Sequence, residues 1–313
     1  VHKIPKLFQS YYDGDVFPYS NVVIWGLRNK DDTFRYIWRH FYDAFKALSI
    51  PVEWVDDDDK YRSLIKKNTL VLGVNVAGQQ LPVVKGAYYC LHNFDGFRDL
   101  HDQIEATHNI RLQVYTNEAE AEGNHSWNQV TWFSKKERKL FQPWGTSVLP
   151  QHFGALPLLS VPIVFWVGSI WNNKQNQGNI EEIKELKAAL RRNNIRFKHM
   201  HHVSESTNRK LVRISSMAPA IGGAWQVQNN YMPCRVFKNI SYGMPIITNI
   251  AKFNTILKTP ELISDNIGEI VENYYKMSRS EKNDILHQQQ SVVMEHTYIT
   301  KISNIVRAFE GIQ

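Results

Sequence analysis

The sequence predicts an α/β protein of two domains, each built on a parallel sheet with helices packed against it. Three observations carry that prediction. Short apolar runs alternate with helix-period segments along the chain, the pattern of parallel strands joined by crossover helices. A stretch holding Pro143, Gly145, Pro150, Gly154 and Pro157 interrupts the alternation near the middle and reads as an interdomain connector. The chain has 313 residues, 43% of them hydrophobic, which is enough for two separate cores.

The elements follow in order. Residues 21–26 form an apolar run closing on a glycine, the mark of a buried strand. Asp31, Asp32 and Thr33 offer side-chain acceptors for a helix N-cap. Phe34, Ile37, Trp38, Phe41, Phe45 and Leu48 then recur at helical spacing. Residues 51–55, 68–73 and 87–91 read as further strands, and 111–115 and 130–133 extend the same sheet. Beyond the connector, 162–168 opens a second series. A helix over 180–193, a strand over 195–199, a helix over 205–215 and a short strand over 218–221 continue it, and the tail from about 280 reads as two helices. The expected division is a first domain over 1–155, a second over 156–295, and a C-terminal helix over 296–313 that packs back on the first.

Composition narrows the function classes. Charged residues make up 21% of the chain, which does not indicate disorder. The net charge of +7 fits a phosphate-bearing substrate, an anionic glycan or a membrane surface. No cluster of Lys and Arg interleaved with aromatics stands out, so nucleic acid is not the expected partner. The densest basic run, Lys135 to Lys139, reads as a solvated helix face. The cysteines are Cys90 and Cys234, in apolar or helical settings without metal-ligand spacing. That usage predicts a reducing compartment. No stretch reaches the length of a membrane span and the start lacks a signal-peptide pattern, so the expectation is a soluble, cytoplasmic protein with no integral membrane segment.

The most informative stretch runs from Tyr231 to Asn249. Pro233 suits a first helical turn, Gly243 a left-handed C-cap, and Pro245 blocks continuation. At about 100° per residue, Arg235, Lys238, Asn239 and Tyr242 fall in one sector, with Val236, Phe237 and Ile240 opposite. Met232, at the expected N-cap, offers no side-chain acceptor, which leaves the first N–H groups for an anion. Arg plus Lys at such an end suits a diphosphate. An ordinary amphipathic helix with a solvated basic face is the alternative reading.

The run Pro233-Cys-Arg-Val-Phe-Lys-Asn-Ile-Ser-Tyr-Gly243 resembles the donor-binding helix of GT-B glycosyltransferases. It is most like the group related to the spore-maturation protein CgeB, whose pattern is roughly Pro-x-Arg-x-Phe-Glu-x-x-x-x-Gly. Lys238 departs from it, standing where many members carry a Glu that binds the donor ribose. The tail His296-Thr297-Tyr298, with Lys301 near the place of an Arg, also resembles that group. The likeness covers the second half well and the first half only in layout.

The resemblance implies two Rossmann-like domains facing a cleft, with a nucleotide-sugar donor on the second and a glycan or glycoconjugate acceptor on the first. It implies a glycosyltransferase in which Arg235 and Lys238 hold the donor diphosphate, so no cofactor and no metal are expected. Gly168 and Ser169 would let backbone N–H groups approach the phosphates. Asn239 and Tyr242 would shape the donor pocket, and Asn173 and Arg209 would add polar contacts. A solvated helix face is the other reading of Arg209. Tyr231 would stack on the base, or staple the helix entrance. His92 and Asp95, after a buried strand, are candidates for the acceptor-side general base. A core histidine and a helix-capping aspartate are the alternatives.

Two further clusters are weighed. His199, His201 and His202 lack the spacing of a metal set. The run Asp56 to Asp59 matches the metal-binding DxD of GT-A enzymes or a ribose contact, and most simply a solvated acidic turn. A metal-dependent GT-A-like transferase, a sugar-nucleotide epimerase and a non-catalytic glycan-binding module therefore stay open beside the GT-B reading.

Overall fold

The computed structural model describes residues 1–29, 33–74, 80–92, 103–104, 110–115 and 130–312. The chain divides into two compact units, one of Val1–Gln142 with Tyr298–Gln313, the other Pro143–Thr297. This division precedes the boundary at 155 read from the sequence. The connector is the reason, because it bonds into the second unit. Trp144 Nε1 donates to Tyr231 Oη at 2.7 Å, Thr146 N to His296 O at 2.9 Å and Gly154 N to Ser241 O at 2.9 Å.

The first unit opens with a short antiparallel pair, β1 (His2–Lys3) and β2 (Val16–Phe17). Its main sheet contains β3 (Asn21–Trp25), β4 (Val52–Val55), β5 (Thr69–Val74), β6 (Tyr88–His92), β7 (Ile110–Tyr115), β8 (Trp132–Ser134) and β9 (Lys139–Phe141). Among the described residues the strand order is β4-β3-β5-β6-β7-β9-β8, parallel except for β8 against β9. Val22, Val23, Ile24 and Trp25 of β3 are all fully buried, as a strand covered on both faces requires. Helix α1 (Thr33–Ala47) buries Ile37, Trp38, Phe41 and Phe45. The final helix, Tyr298–Ile312, belongs to this unit and buries Ile302, Ile305 and Phe309. The basic run is no helix face. Lys135 to Arg138 form the turn of the β8–β9 hairpin, with Arg138 at φ 53°, and Lys139 begins β9.

The second unit contains β10 (Ile163–Val167), α2 (Ile180–Arg192), β11 (Arg196–Met200), α3 (Glu205–Ile214), β12 (Ala218–Pro219), α4 (Ala224–Gln228), α5 (Cys234–Ser241), β13 (Ile246–Ile247), α6 (Phe253–Leu257), α7 (Ile267–Lys276) and α8 (Arg279–Val293). Strands β10 and β11 pair in parallel, as do β12 and β13. Val164 and Trp166 pack into a core with Ile183, Leu186 and Leu190 of α2 and Ile270, Val271 and Tyr274 of α7. The alternate residues Phe165 and Val167 of β10 face the other side, toward α3 and α5. Among the described residues no helix is long and apolar enough to cross a membrane.

Candidate functional site

Helix α5 places the candidate site. Its N-cap is Pro233, at φ −69° and ψ 145°, one residue later than the Met232 read from the sequence. Met232 is fully buried instead. No side chain caps this end. Gly243 follows the helix at φ +96°, the left-handed conformation expected of it. A Cβ there would lie 2.5 Å from Ala155 O and 2.6 Å from Gly154 O, so the position excludes a side chain on two counts. The apolar sector packs as expected, with Val236, Phe237 and Ile240 fully buried. Phe237 meets the rings of Phe253 and His296.

Arg235 reaches the carboxyl end of β10. Its guanidinium carbon sits 3.7 Å from the ring centroid of Trp166, a close cation–π stack. It also abuts Gly168, which lies at φ +134°, where a Cβ would collide with the guanidinium. The glycine is therefore needed for this approach, and the carboxyl end of a parallel strand is where open α/β sheets bind ligands. The Arg235 side chain makes no hydrogen bond or ion pair with a described residue. Burial lowers its pKa to about 10, which leaves it charged at neutral pH. Burial also lowers the pKa of Lys238, and the Arg235 charge acts in the same direction.

Arg235, Lys238 and Asn239 line a cavity of about 10 Å³ with Asn208 of α3 and with Phe165 and Val167 of β10. The structure thus brings Arg235, Lys238, Asn239 and Gly168 together. Trp166 and Asn208 were missed by sequence reasoning. Alternation within 162–168 could have marked Trp166 as inward-facing, but no local pattern marks Asn208.

The other expected contacts lie elsewhere or serve the fold. Tyr242 is fully buried among Val148, Val212, Ala218 and Met244, so it is a core residue rather than a pocket wall. Tyr231 holds the connector through Trp144 and stands 5.8 Å from the Trp225 ring, the structural alternative for that residue. Arg209 donates to His152 O at 3.2 Å and lies over Tyr242. The Ser169 carbonyl accepts from Asn179 Nδ2 at 3.2 Å. Asn173 organises an exposed loop, its Oδ1 accepting from Gln175 N and Gln177 N. His199 Nε2 lies 2.6 Å from Gly168 O, a tie to the site turn that the sequence did not suggest.

His92 is 1% exposed, its ring edge-on to Trp38 and near Phe41. Its described surroundings are those of a core histidine, the alternative reading of this residue. Asp95 lies outside the described residues. Burial pushes the His92 pKa from 6.5 down to about 3, against a backbone bond to Gly73 that raises it. Between those values the unfolded chain binds more protons, so stability falls as pH falls through that window, by up to about 1.4 kcal/mol per pH unit. His92→Leu is expected to flatten the acid side of the first unit's stability curve, measured by urea melts at pH 7, 5.5 and 4.5.

The acidic run is structural. Asp56 accepts from Asn29 N at 3.0 Å, and Asp57 accepts from Trp25 Nε1 at 2.6 Å and Gln80 N at 3.0 Å. Asp58 caps the next turn at Lys60 N and pairs with the Lys60 ammonium at 2.6 Å. Among the described residues no group of three or more His, Cys, Asp or Glu is placed to hold a metal. Both cysteines are buried and free.

The N-terminal domain of trehalose-6-phosphate phosphatase from Candida albicans superposes with a TM-score of 0.53 at 9% identity, over 96% of this chain and 98% of that one. An α,α-trehalose 6-phosphate synthase from Burkholderia multivorans superposes with a TM-score of 0.50 at 10% identity, over 90% of this chain and 78% of that one. No family model and no curated protein matches the chain. At these identities the likeness is one of fold, reached through trehalose-phosphate proteins rather than through the CgeB-related group. The chain consists of two Rossmann-like α/β units forming a GT-B-type fold.

Proposed function

We propose that this protein is a glycosyltransferase that moves a sugar from a nucleotide-diphosphate donor to a hydroxyl of a glycan or glycoconjugate, without a metal. The observation that carries the reading is Arg235: a part-buried guanidinium with no hydrogen-bond or ion-pair partner among the described residues, stacked on Trp166 against Gly168. Diphosphate oxygens would supply the missing acceptors. As the bond from the anomeric carbon to the phosphate oxygen breaks, charge builds on that diphosphate, and in this reading Arg235 and Lys238 stabilise it. The acceptor hydroxyl gives its proton to the departing diphosphate or to solvent in the same exchange. The GT-B-type fold supports the reading, as do two proteins of that fold whose names refer to trehalose phosphate.

One observation favours a second reading. The histidine expected to take the acceptor proton is sealed in the first unit's core. A module that binds nucleotide sugar without transferring it would use the same Arg235 site. Incubation with UDP-, GDP-, ADP- and dTDP-sugars and a mixed glycan acceptor, with EDTA present, separates the readings. Transfer predicts released nucleoside diphosphate and labelled acceptor, both indifferent to EDTA. Loss of turnover with EDTA supports the metal-dependent alternative, and an isomerised donor without acceptor supports an epimerase. Binding without turnover supports the module.

A further inference from the structure

The cavity beside α5 contains two side chains that the diphosphate reading does not use fully. Asn208 and Asn239 are each 4% exposed. Neither side-chain amide makes a hydrogen bond with a described residue. Their amides are therefore open to a group that enters the cavity. Both amides line the same cavity as Arg235 and Lys238. Phe165, Val167, Val212 and Met217 supply apolar lining beside the two cations.

The occupant's chemistry follows from this lining. No carboxylate lines the cavity. The Glu205 charge acts on Lys238 and raises its pKa against the effect of burial. The two cations donate and each amide can donate through Nδ2, a lining that suits an accepting, anionic group. A volume of about 10 Å³ admits one water-sized centre. A single phosphoryl oxygen satisfies both conditions.

We infer that this cavity is a phosphate-oxygen pocket, in which the Asn208 and Asn239 amides donate to one anionic oxygen of a phosphate held by Arg235 and Lys238. Asn208 is thereby a binding residue on a helix that the donor motif does not contain. The inference builds on the diphosphate reading of α5, and the two fail separately.

The test uses the full-length protein with Asn208→Leu and Asn208→Asp, titrated with inorganic phosphate and with UDP by calorimetry and by thermal melting. Leu replaces an unpartnered polar group with an apolar one of similar size, so the melting temperature without ligand is expected to hold or rise. Phosphate and UDP affinities are expected to fall about ten- to hundred-fold, the worth of one hydrogen bond to a charged group. Asp, nearly the same shape, turns a donor into a carboxylate beside Arg235. It should also abolish phosphate binding, and it carries the test if the Leu variant fails to fold. Affinities within two-fold of the parent in the folded variants mean that the pocket holds water only, and overturn the inference. UDP binding that is equal in parent and variants sinks the pocket and leaves the donor reading standing. Phosphate binding that Asn208→Leu removes, in a protein that ignores UDP and the other nucleotides, sinks the donor reading and leaves the pocket.

Discussion

Arg235→Ala is expected to weaken nucleoside diphosphate binding by about 100-fold while leaving the fold intact. The guanidinium makes no hydrogen bond or ion pair with a described residue, so no partner is orphaned by its removal. It is also a cation held in a partly desolvated place, with its pKa lowered to about 10. Deleting it relieves that cost in the empty protein, and the melting temperature should hold or rise slightly. With ligand bound, the same deletion leaves a buried diphosphate short of its planar donor. Truncating one partner of such a contact costs roughly 2–5 kcal/mol, which spans about 30-fold to several thousand-fold in affinity. Arg235→Lys should not restore it. A lysine lacks the planar fork, and its ammonium cannot lie flat on Trp166 at 3.7 Å as the guanidinium does. Calorimetry with UDP and a melt of each variant check both halves. Equal loss of affinity and stability would mean that Arg235 serves packing alone.

Gly243→Ala should destabilise the second unit more than any substitution inside the site. The residue sits at φ +96°, a region that costs a side-chain-bearing residue about 1–3 kcal/mol. Its new Cβ would also stand 2.5 and 2.6 Å from the carbonyl oxygens of Ala155 and Gly154. Those carbonyls belong to a strap that is fixed elsewhere, since Gly154 N donates to Ser241 O at 2.9 Å and Gln290 Nε2 to Gly154 O at 2.8 Å. The strap cannot retreat without breaking those bonds. A loss of roughly 3 kcal/mol or more is expected, a fall of about 10 °C in the transition of a unit this size. Differential scanning calorimetry on the whole chain reads it, with the first unit's transition as the internal reference.

Much of this fold is written in local pattern. The run Val22 to Trp25 is apolar at every position because β3 is covered on both faces, and such runs identify parallel strands. The sector of α5 follows from helical geometry, and the glycine after it from the left-handed turn. One element was missed despite a local signal, and the other misreadings have tertiary causes. Helix α7 was passed over, although Asn266 caps it by accepting from Glu269 N, a three-residue spacing visible in the chain. The basic run Lys135 to Lys139 has the charge of a helix face, yet the pairing of β8 with β9 makes it a hairpin turn. Tyr242 shares the angular sector of Arg235, but the helix ends there and its ring drops into the core under Val148 and Met244.

The site itself was half legible. Arg235 and Lys238 were marked by a motif within one helix, and Gly168 by a strand that ends in glycine. Trp166 and Asn208 come from a strand and a helix distant in sequence, and only packing shows that they share a space with α5. His92 shows the opposite error. A histidine at a strand's end suggests chemistry, whereas the rings of Trp38 and Phe41 fill the space around it.

Calorimetric titration of the intact protein with UDP, GDP, ADP and dTDP in EDTA tests the central claim most directly. The account predicts that at least one of the four binds with micromolar affinity without a divalent ion, and that Arg235→Ala removes that heat. No binding by any of the four, or binding that appears only when magnesium or manganese is restored, would contradict it.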